Sequence, residues 1–330
     1  MRPFEYAAPR TEAAAIQLLN EPDAVVLAGG TDLMSLIKTD VVTPKRVVNI
    51  KDVTSMSGIA ADDETILIGA LTTLEELVES PLAGKYQSLG DVVDEIRAIQ
   101  VQQNGTVGGD LCLHPNCWYY RNGYGLLAQQ DGKSLVEFGD NRYHAVFNNK
   151  GLARYSHASR LAPALIAWNA EVRIIGPAPH SEQWIPLEQL FITPRRETDS
   201  MMVLETGQLI SHIALPTSGR QLSAAYEVLE MQGLDWPLAA AASCITMVNG
   251  VVESARIVMG HVAPTPVVSH AAAEAIVGQP LNEETADRAG QATVADATPL
   301  KDNGYKVTLA KTAVKRSLLK VAGRLKSEFA

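Results

Sequence analysis

A chain of 330 residues with 46% hydrophobic and 20% charged side chains carries enough apolar surface to bury a large core, which excludes disordered, collagenous and low-complexity architectures. Its length exceeds what one hydrophobic core usually supports, so two or three packed subdomains are expected. With 28 Lys and Arg against 37 Asp and Glu, the formal net charge is −9 and basic clusters are missing, so no nucleic-acid partner is expected.

The N-terminus, Met1-Arg2-Pro3-Phe4-Glu5-Tyr6, meets charge and proline before an apolar signal core can form, so the cytoplasm is the expected compartment, export with a partner subunit staying open. The longest apolar window, Trp236 to Val248, is interrupted by Ser243 and Thr246 and stops at Asn249-Gly250, so no membrane span is expected. Cys112, Cys117 and Cys244 are too few, and odd in number, for a disulfide framework; reduced thiols are expected.

In chain order, Ala24 to Leu27 is a β-prone run, Ala28-Gly29-Gly30-Thr31-Asp32 breaks it, and Leu33 to Lys38 has helical spacing. Strands are expected over Arg46 to Ile50 and Thr65 to Ile68. A helix opened by Thr73 follows, with Glu76 completing a capping box, and a longer helix is expected around Gly90 to Ile99. Thr106-Val107-Gly108-Gly109-Asp110 then repeats the glycine punctuation. Residues from about Cys112 to Ser156, rich in Asn, Gly, Tyr and Gln, read as an irregular excursion, and loops of that length are usually functional. A helix over Leu161 to Trp168 and strands over Glu171 to Ile175 and Leu209 to Leu215 restore regularity. Pro216-Thr217-Ser218-Gly219 reads as a linker, placing domains at 1–216 and 220–330. Beyond it, Ala239 to Val248 and Val251 to Gly260 flank Asn249-Gly250, a strong hairpin signal. Helices at about Val268 to Val277, Glu283 to Ala295 and Tyr305 to Leu325 close the chain. Strands and helices alternate without sustained βαβ regularity, so the expected class is α+β.

Two loops carry the chemistry. Gly29-Gly30-Thr31-Asp32-Leu33 and Gly108-Gly109-Asp110-Leu111 each join a glycine pair to an acidic residue and a leucine. Glycine pairs let several backbone N–H groups converge on one anion, and a following helix N-terminus adds partial positive charge, so a pyrophosphate could be held without lysine. The same pairs also serve as plain turns. No Gly-x-Gly-x-x-Gly follows a strand, and Gly125 to Gly132-Lys133-Ser134 misses P-loop register, so it reads as a polar turn. Cys112, His114 and Cys117 lie close in sequence but lack a fourth ligand at zinc spacing, with His144 and His157 partners only by assumption; no metal is expected. Neither a Gly-x-Ser-x-Gly elbow nor a His-Glu-x-x-His is present, so no catalytic side chain is assigned. Trp118-Tyr119-Tyr120 could pack internally, cover a planar ring or face a partner.

Taken together, Ala28-Gly29-Gly30-Thr31-Asp32-Leu33, Val101-Gln102-Gln103-Asn104-Gly105-Thr106-Val107-Gly108-Gly109-Asp110-Leu111 and Cys117-Trp118-Tyr119-Tyr120-Arg121 resemble the FAD-binding subunit of the molybdenum hydroxylases, the xanthine dehydrogenase, aldehyde oxidoreductase and carbon monoxide dehydrogenase family. The resemblance covers essentially the whole chain. It implies an FAD domain of the vanillyl-alcohol-oxidase type followed by a smaller α+β domain. It implies FAD as cofactor, its pyrophosphate and ribityl chain held by Ala28, Gly29, Gly30, Thr31, Asp32, Leu33, Thr106, Gly108, Gly109 and Asp110. It further implies a 2Fe-2S small subunit and a molybdenum-cofactor large subunit as partners, with electrons passing through FAD to NAD or another acceptor. This sequence departs from the family at Asp110, where Asn is frequent, at Gln103, where Arg is common, and at Arg160, where an Asp usually contacts the ribityl region. A branch with an extra 4Fe-4S cluster uses four cysteines in its excursion; Cys112 and Cys117 are the two here, so no cluster is expected. Alternatives are a freestanding FAD-dependent reductase of the same fold, which would need its own proton donor, and a non-catalytic nucleotide-binding or assembly module.

Overall fold

The computed structural model describes residues 1–217, 219–231, 233 and 235–323. Among the described residues, three sheets of three or more strands, a two-stranded hairpin and their helices give the expected α+β class. The first is a small parallel sheet in which Arg46–Asn49 lies between Glu5–Ala7 and Ala24–Leu27. The helix Glu12–Leu19, capped by Thr11, buries Ala15, Ile16 and Leu19 and packs against Ala24–Leu27 and Arg46–Asn49. The second sheet is antiparallel, in the order Ile59–Ala61, Thr65–Gly69, Leu209–Pro216, Glu171–Ile175, Glu182–Pro186. Pro216 is therefore the last residue of a strand, where its missing N–H costs nothing to the ladder's interior. Ser218, part of the expected linker, lies outside the described residues.

Helix Leu74–Glu79 opens with the anticipated box: Thr73 Oγ1 accepts from Glu76 N at 3.1 Å, and Glu76 Oε2 accepts from Thr73 N at 2.8 Å. The helix expected around 90–99 is split. Gln87–Asp94 buries Leu89, Val92 and Val93, and a separate turn, Ile99–Asn104, buries no side chain. The break at 95–98 turns the chain toward the second glycine pair.

The C-terminal sheet is antiparallel, ordered Gln221–Val228, Ala239–Val248, Val251–Gly260, Val267–Val268. Asn249 and Gly250 hold φ of 50° and 81°, which a two-residue hairpin of this type requires. One face packs helix Tyr305–Val321, itself against Glu283–Thr293; the other meets Leu161–Ala167 and Gln87–Asp94 of the first domain. Strand Gln221–Val228 carries no signal that sequence reading caught, and the segment expected as a helix over 268–277 holds a short strand and the helix His270–Glu274. Residues 324 and 325, expected to end the last helix, lie outside the described residues.

The excursion after Cys112 is not structureless. It contains the helices Trp118–Arg121 and Leu135–Phe138 and a hairpin of Gln129–Gln130 with Lys133–Ser134, so the apparent P-loop is a tight turn through Asp131 and Gly132. Its later part crosses to the C-terminal domain and returns, Ala153 and Tyr155 packing with Leu127 and Met201. Val146 and Phe147 pack in the C-terminal core, and Val146 N donates to Val262 O at 2.8 Å.

Candidate functional site

The parallel sheet ends at Leu27, and the chain must then turn sharply into helix Leu33–Lys38. Gly30 takes φ +73°, a conformation only glycine adopts cheaply. Gly29 is required for a different reason: a Cβ there would sit 1.8 Å from Asn104 O and 2.7 Å from Asn104 C. The first loop therefore lies backbone against backbone on the end of Ile99–Asn104. Gly108 is similarly pinned, its missing Cβ lying 2.7 Å from Ala70 Cβ and 3.0 Å from Ala70 O. At Gly109 an added Cβ would meet only the Thr106 side chain, 2.8 Å from Oγ1.

This packing brings the two motifs to one place. Ala28, Gly29, Gly30, Thr31, Asp32 and Leu33 line a cavity of about 300 Å³ together with Thr106, Gly108 and Gly109, with apolar walls from Val25, Ile50, Leu71 and Ile210. A second cleft, of about 160 Å³, shares Thr31, Asp32, Thr106, Gly109 and Leu113 with the first and extends past Ile96, Val101 and Arg160 to Trp236 of the C-terminal domain.

The loops are not equivalent donors, contrary to what their matching sequences imply. In the second, Val107 N donates to Thr72 O, Gly108 N to Ala70 O, Gly109 N to Thr106 Oγ1 and Asp110 N to Thr106 O. These residues form the helix Val107–Leu111 rather than an open loop, and no backbone donor remains over. In the first loop, the N–H groups of Gly29, Gly30, Thr31 and Asp32 have no acceptor among the described residues. Four consecutive unpaired donors beside a cavity are an anion cradle, because each lone N–H gains a charge-assisted bond when an anion arrives.

Asp32 does not face the cavity with a free carboxylate. Its Oδ1 accepts from Arg121 Nη1 at 2.6 Å and its Oδ2 from His114 N at 3.3 Å, so the excursion clamps the first loop. Sequence reasoning missed Arg121 in this role; the signal was its place in the Cys117–Arg121 motif. Asp110 also departs from expectation. It lines the smaller cleft, but both its oxygens are taken, by Ser159 Oγ and by the N–H groups of Leu161 at 3.0 Å and Arg160 at 3.3 Å. Burial pushes its pKa up, against those hydrogen bonds. Its carboxylate supports helix Leu161–Ala167, with both oxygens engaged inside the protein.

Arg160 sits where the resemblance places an Asp. Its guanidinium forms a buried, two-pronged pair with Glu227 on strand Gln221–Val228 and so ties the cleft wall to the C-terminal domain. Burial raises the Glu227 carboxyl, while Arg160 pulls it back down. Trp118 and Tyr119 are half-buried, edge to face, and Tyr120 is buried, stacked on His114. Cys112 and Cys117 are thiols raised by burial, Cys112 to about 12; Cys117 Sγ lies 3.2 Å from His144 Nε2. No group of three metal-ligating side chains occurs among the described residues.

Two family models match the chain: the FAD-binding domain in molybdopterin dehydrogenase over residues 2–218 and the carbon monoxide dehydrogenase flavoprotein C-terminal domain over 224–321. The medium chain of carbon monoxide dehydrogenase from Hydrogenophaga pseudoflava is 24% identical over 96% of both chains. The xanthine dehydrogenase FAD-binding subunit of Escherichia coli O157:H7 is 22% identical over 89% of this chain and 86% of the relative. Among solved structures, that of Hydrogenophaga pseudoflava carbon monoxide dehydrogenase lacking the Mo-pyranopterin moiety aligns over 99% of this chain with a TM-score of 0.76 and 25% identity. Quinoline 2-oxidoreductase from Pseudomonas putida 86 shares the fold, with a TM-score of 0.76 at 21% identity. A two-domain α+β flavoprotein with its glycine motifs converging on one cavity is thus the class defined. The chain belongs to the family of FAD-binding subunits of the molybdenum hydroxylases, of the carbon monoxide and xanthine dehydrogenase type, and FAD is its cofactor.

Proposed function

We propose that this chain is the electron-transfer flavoprotein subunit of a molybdenum hydroxylase, taking electrons from 2Fe-2S clusters on a small partner subunit and delivering them to NAD or another acceptor, while substrate is oxidised at a molybdenum centre on a large subunit. The observation that carries the reading is the row of four unpaired N–H groups at Gly29–Asp32 beside two joined cavities. These residues fit FAD. The donors suit a pyrophosphate, Gly108 and Gly109 leave a wall without side chains opposite, and the cavities on either side accept the two ends of an elongated dinucleotide. FAD, when bound, supplies the interchange between single-electron and two-electron carriers.

The protein's own contribution is placement and electrostatics. Gly29, Gly30, Thr31 and Asp32 bind the pyrophosphate through backbone donors. Thr106, whose oxygen accepts from Gly109 N at 3.1 Å, keeps its hydroxyl proton to donate into the cavity. Arg121 holds Asp32, and with it the loop, in the binding geometry. Leu113, Ile96, Val101 and Trp236 keep water from the smaller cleft, where the Arg160 and Glu227 pair places a fixed dipole. The medium-chain and subunit relatives, matched over nearly their full lengths, support the heteromeric reading. Co-expression with the products of adjacent genes tests it. The expected result is a complex that survives size-exclusion chromatography, with about one FAD on this chain and iron and molybdenum on the others. A chain that purifies alone and reduces a substrate with NADPH at full rate would instead establish the freestanding reductase.

A further inference from the structure

The junction of the two domains encloses a further cavity, of about 210 Å³, outside the glycine-loop site. Three histidines line it, His144, His157 and His261, each 2–3% exposed. Four of their ring nitrogens have no hydrogen-bond partner: Nδ1 of His144, both nitrogens of His157 and Nε2 of His261. Buried polar atoms are almost always paired, so four buried orphan nitrogens on the three histidines that line one space call for a partner. His261 is moreover held at φ 62°, a strained conformation for a side-chain-bearing residue, of the kind proteins retain where a group must be aimed.

The cavity's charge decides what kind of ligand suits it. Lys306, 1% exposed, projects its Nζ among the carbonyls of Tyr143, His144 and His261 and the Ser156 hydroxyl, at 2.9–3.2 Å. It pairs with no carboxylate among the described residues. The two acids lining the cavity, Glu230 and Asp235, are exposed at its rim, and Glu230 already accepts from Tyr143 Oη. The buried interior thus holds an ammonium with no carboxylate partner among the described residues, its Nζ solvated by three carbonyls and a hydroxyl, next to imidazoles able to donate. A metal cation is disfavoured by that ammonium and by the absence of any ligating triad among the described residues.

We propose that this interdomain cavity binds a small oxyanion group, of an organic carboxylate or an inorganic anion, with the Lys306 ammonium as the attracting charge and the His144, His157 and His261 rings as donors. Trp118 and Trp236 flank the space and leave room for a flat apolar body behind a carboxylate. Asp235 and Trp236 also wall the smaller cleft of the glycine-loop site, so the two sites adjoin, although this inference stands without the flavin assignment.

Binding should weaken as pH rises. Burial lowers the Lys306 ammonium to about 7, so its charge is present below that value and lost above it. The other titratable groups facing the cluster do not reverse the trend. His144, His157 and His261 are lowered by burial and take up protons only toward acid, which strengthens anion binding there. Burial keeps the Cys117 thiol protonated; Tyr143 is raised chiefly by its bond to Glu230, and Arg160, which adds to the lowering of His261, is itself paired with Glu227.

Titration calorimetry on the full FAD-loaded chain, in chloride-free buffer, tests the proposal with acetate, benzoate and inorganic phosphate at pH 6.5 and 9. Saturable one-to-one binding of at least one probe is expected at pH 6.5, weakened at least about tenfold at pH 9. Carboxylates alone binding identifies an organic acid, phosphate alone an inorganic anion, and either supports the site. Lys306→Met should abolish binding; because a buried lysine also bears on folding, His157→Phe and His261→Asn, checked for unchanged flavin content, must each weaken it at least about tenfold, or about 1.4 kcal/mol. No saturable heat with any probe at pH 6.5, an affinity unchanged at pH 9, or binding untouched by either histidine variant overturns the proposal.

Discussion

Gly29→Ala is the smallest change that separates the two glycine loops. Its Cβ would lie 1.8 Å from Asn104 O, and an ordinary contact needs at least 3.4 Å, so one backbone must retreat by about 1.6 Å. Neither can do so freely. Asn104 closes helix Ile99–Asn104, and the following Gly105 is fixed by bonds from Gly105 N to Val101 O at 2.7 Å and from Leu74 N to Gly105 O at 3.0 Å. The first loop is fixed by Arg121 on Asp32. Overpacking against backbone costs about 3 kcal/mol at the upper end of the usual range, equivalent to a fall of about 6–12 °C in Tm for a domain of this size. Flavin binding should suffer as well. Loss of even one charge-assisted N–H bond to pyrophosphate, worth about 1.5–3 kcal/mol, weakens FAD by about 10- to 100-fold. Fluorescence titration of the deflavinated protein with FAD gives the affinity, and calorimetry the Tm. Gly151→Ala is the control, because a Cβ there meets nothing within 4 Å. A Gly29→Ala protein that binds FAD within about twofold of the parent and melts within about 1 °C of it would refute the packing argument.

Gly30→Ala meets only the Leu27 and Met34 side chains, at 3.1 and 3.3 Å, so its cost should be that of the positive φ, about 1–2 kcal/mol, read as Tm. Arg160→Met strands a buried Glu227 and should destabilise by about 3–5 kcal/mol, whereas Arg160→Met combined with Glu227→Leu should recover most of the loss in urea melts. His157 is held neutral, its pKa lowered by burial to about 3, so the native state binds fewer protons than the unfolded chain between about 3 and 6.5 and loses stability as pH falls through that window. Asp110 and Glu227, raised by burial, act in the opposite sense, so the comparison must be differential: His157→Leu should flatten the stability curve between pH 6.5 and 5 by about 1 kcal/mol per pH unit, and parallel curves would contradict the buried neutral state.

Local signals were readable where local energetics dominate. The Asn249-Gly250 hairpin, the Thr73 to Glu76 box and the helices at Leu33–Lys38 and Leu161–Ala167 all rest on residues within a few positions of one another, and each stands where spacing put it. The convergence of the glycine motifs was legible only as a pair within a family pattern, because nothing local says that Gly29 packs on Asn104. The inequality of the two loops was not legible at all. Their sequences match, yet the Val107–Leu111 donors are spent on Thr72, Ala70 and Thr106, partners supplied by tertiary packing. For the same reason the excursion's destination stayed hidden: Val146 pairs with Val262, over a hundred residues on, and Lys306 reaches back to Tyr143 and His144. The substitution pattern of Asp110 and Arg160 likewise acquires a meaning only in three dimensions, where one caps a helix and the other pairs with Glu227.

A structure of the chain with FAD bound tests the central claim most directly, because it locates the pyrophosphate. The account requires phosphate oxygens about 2.7–3.2 Å from the N–H groups of Gly29, Gly30, Thr31 and Asp32, with no backbone donor of Val107–Asp110 diverted from its internal acceptor. A pyrophosphate seated on the second motif instead, with the Gly29–Asp32 donors left unpaired, would contradict it.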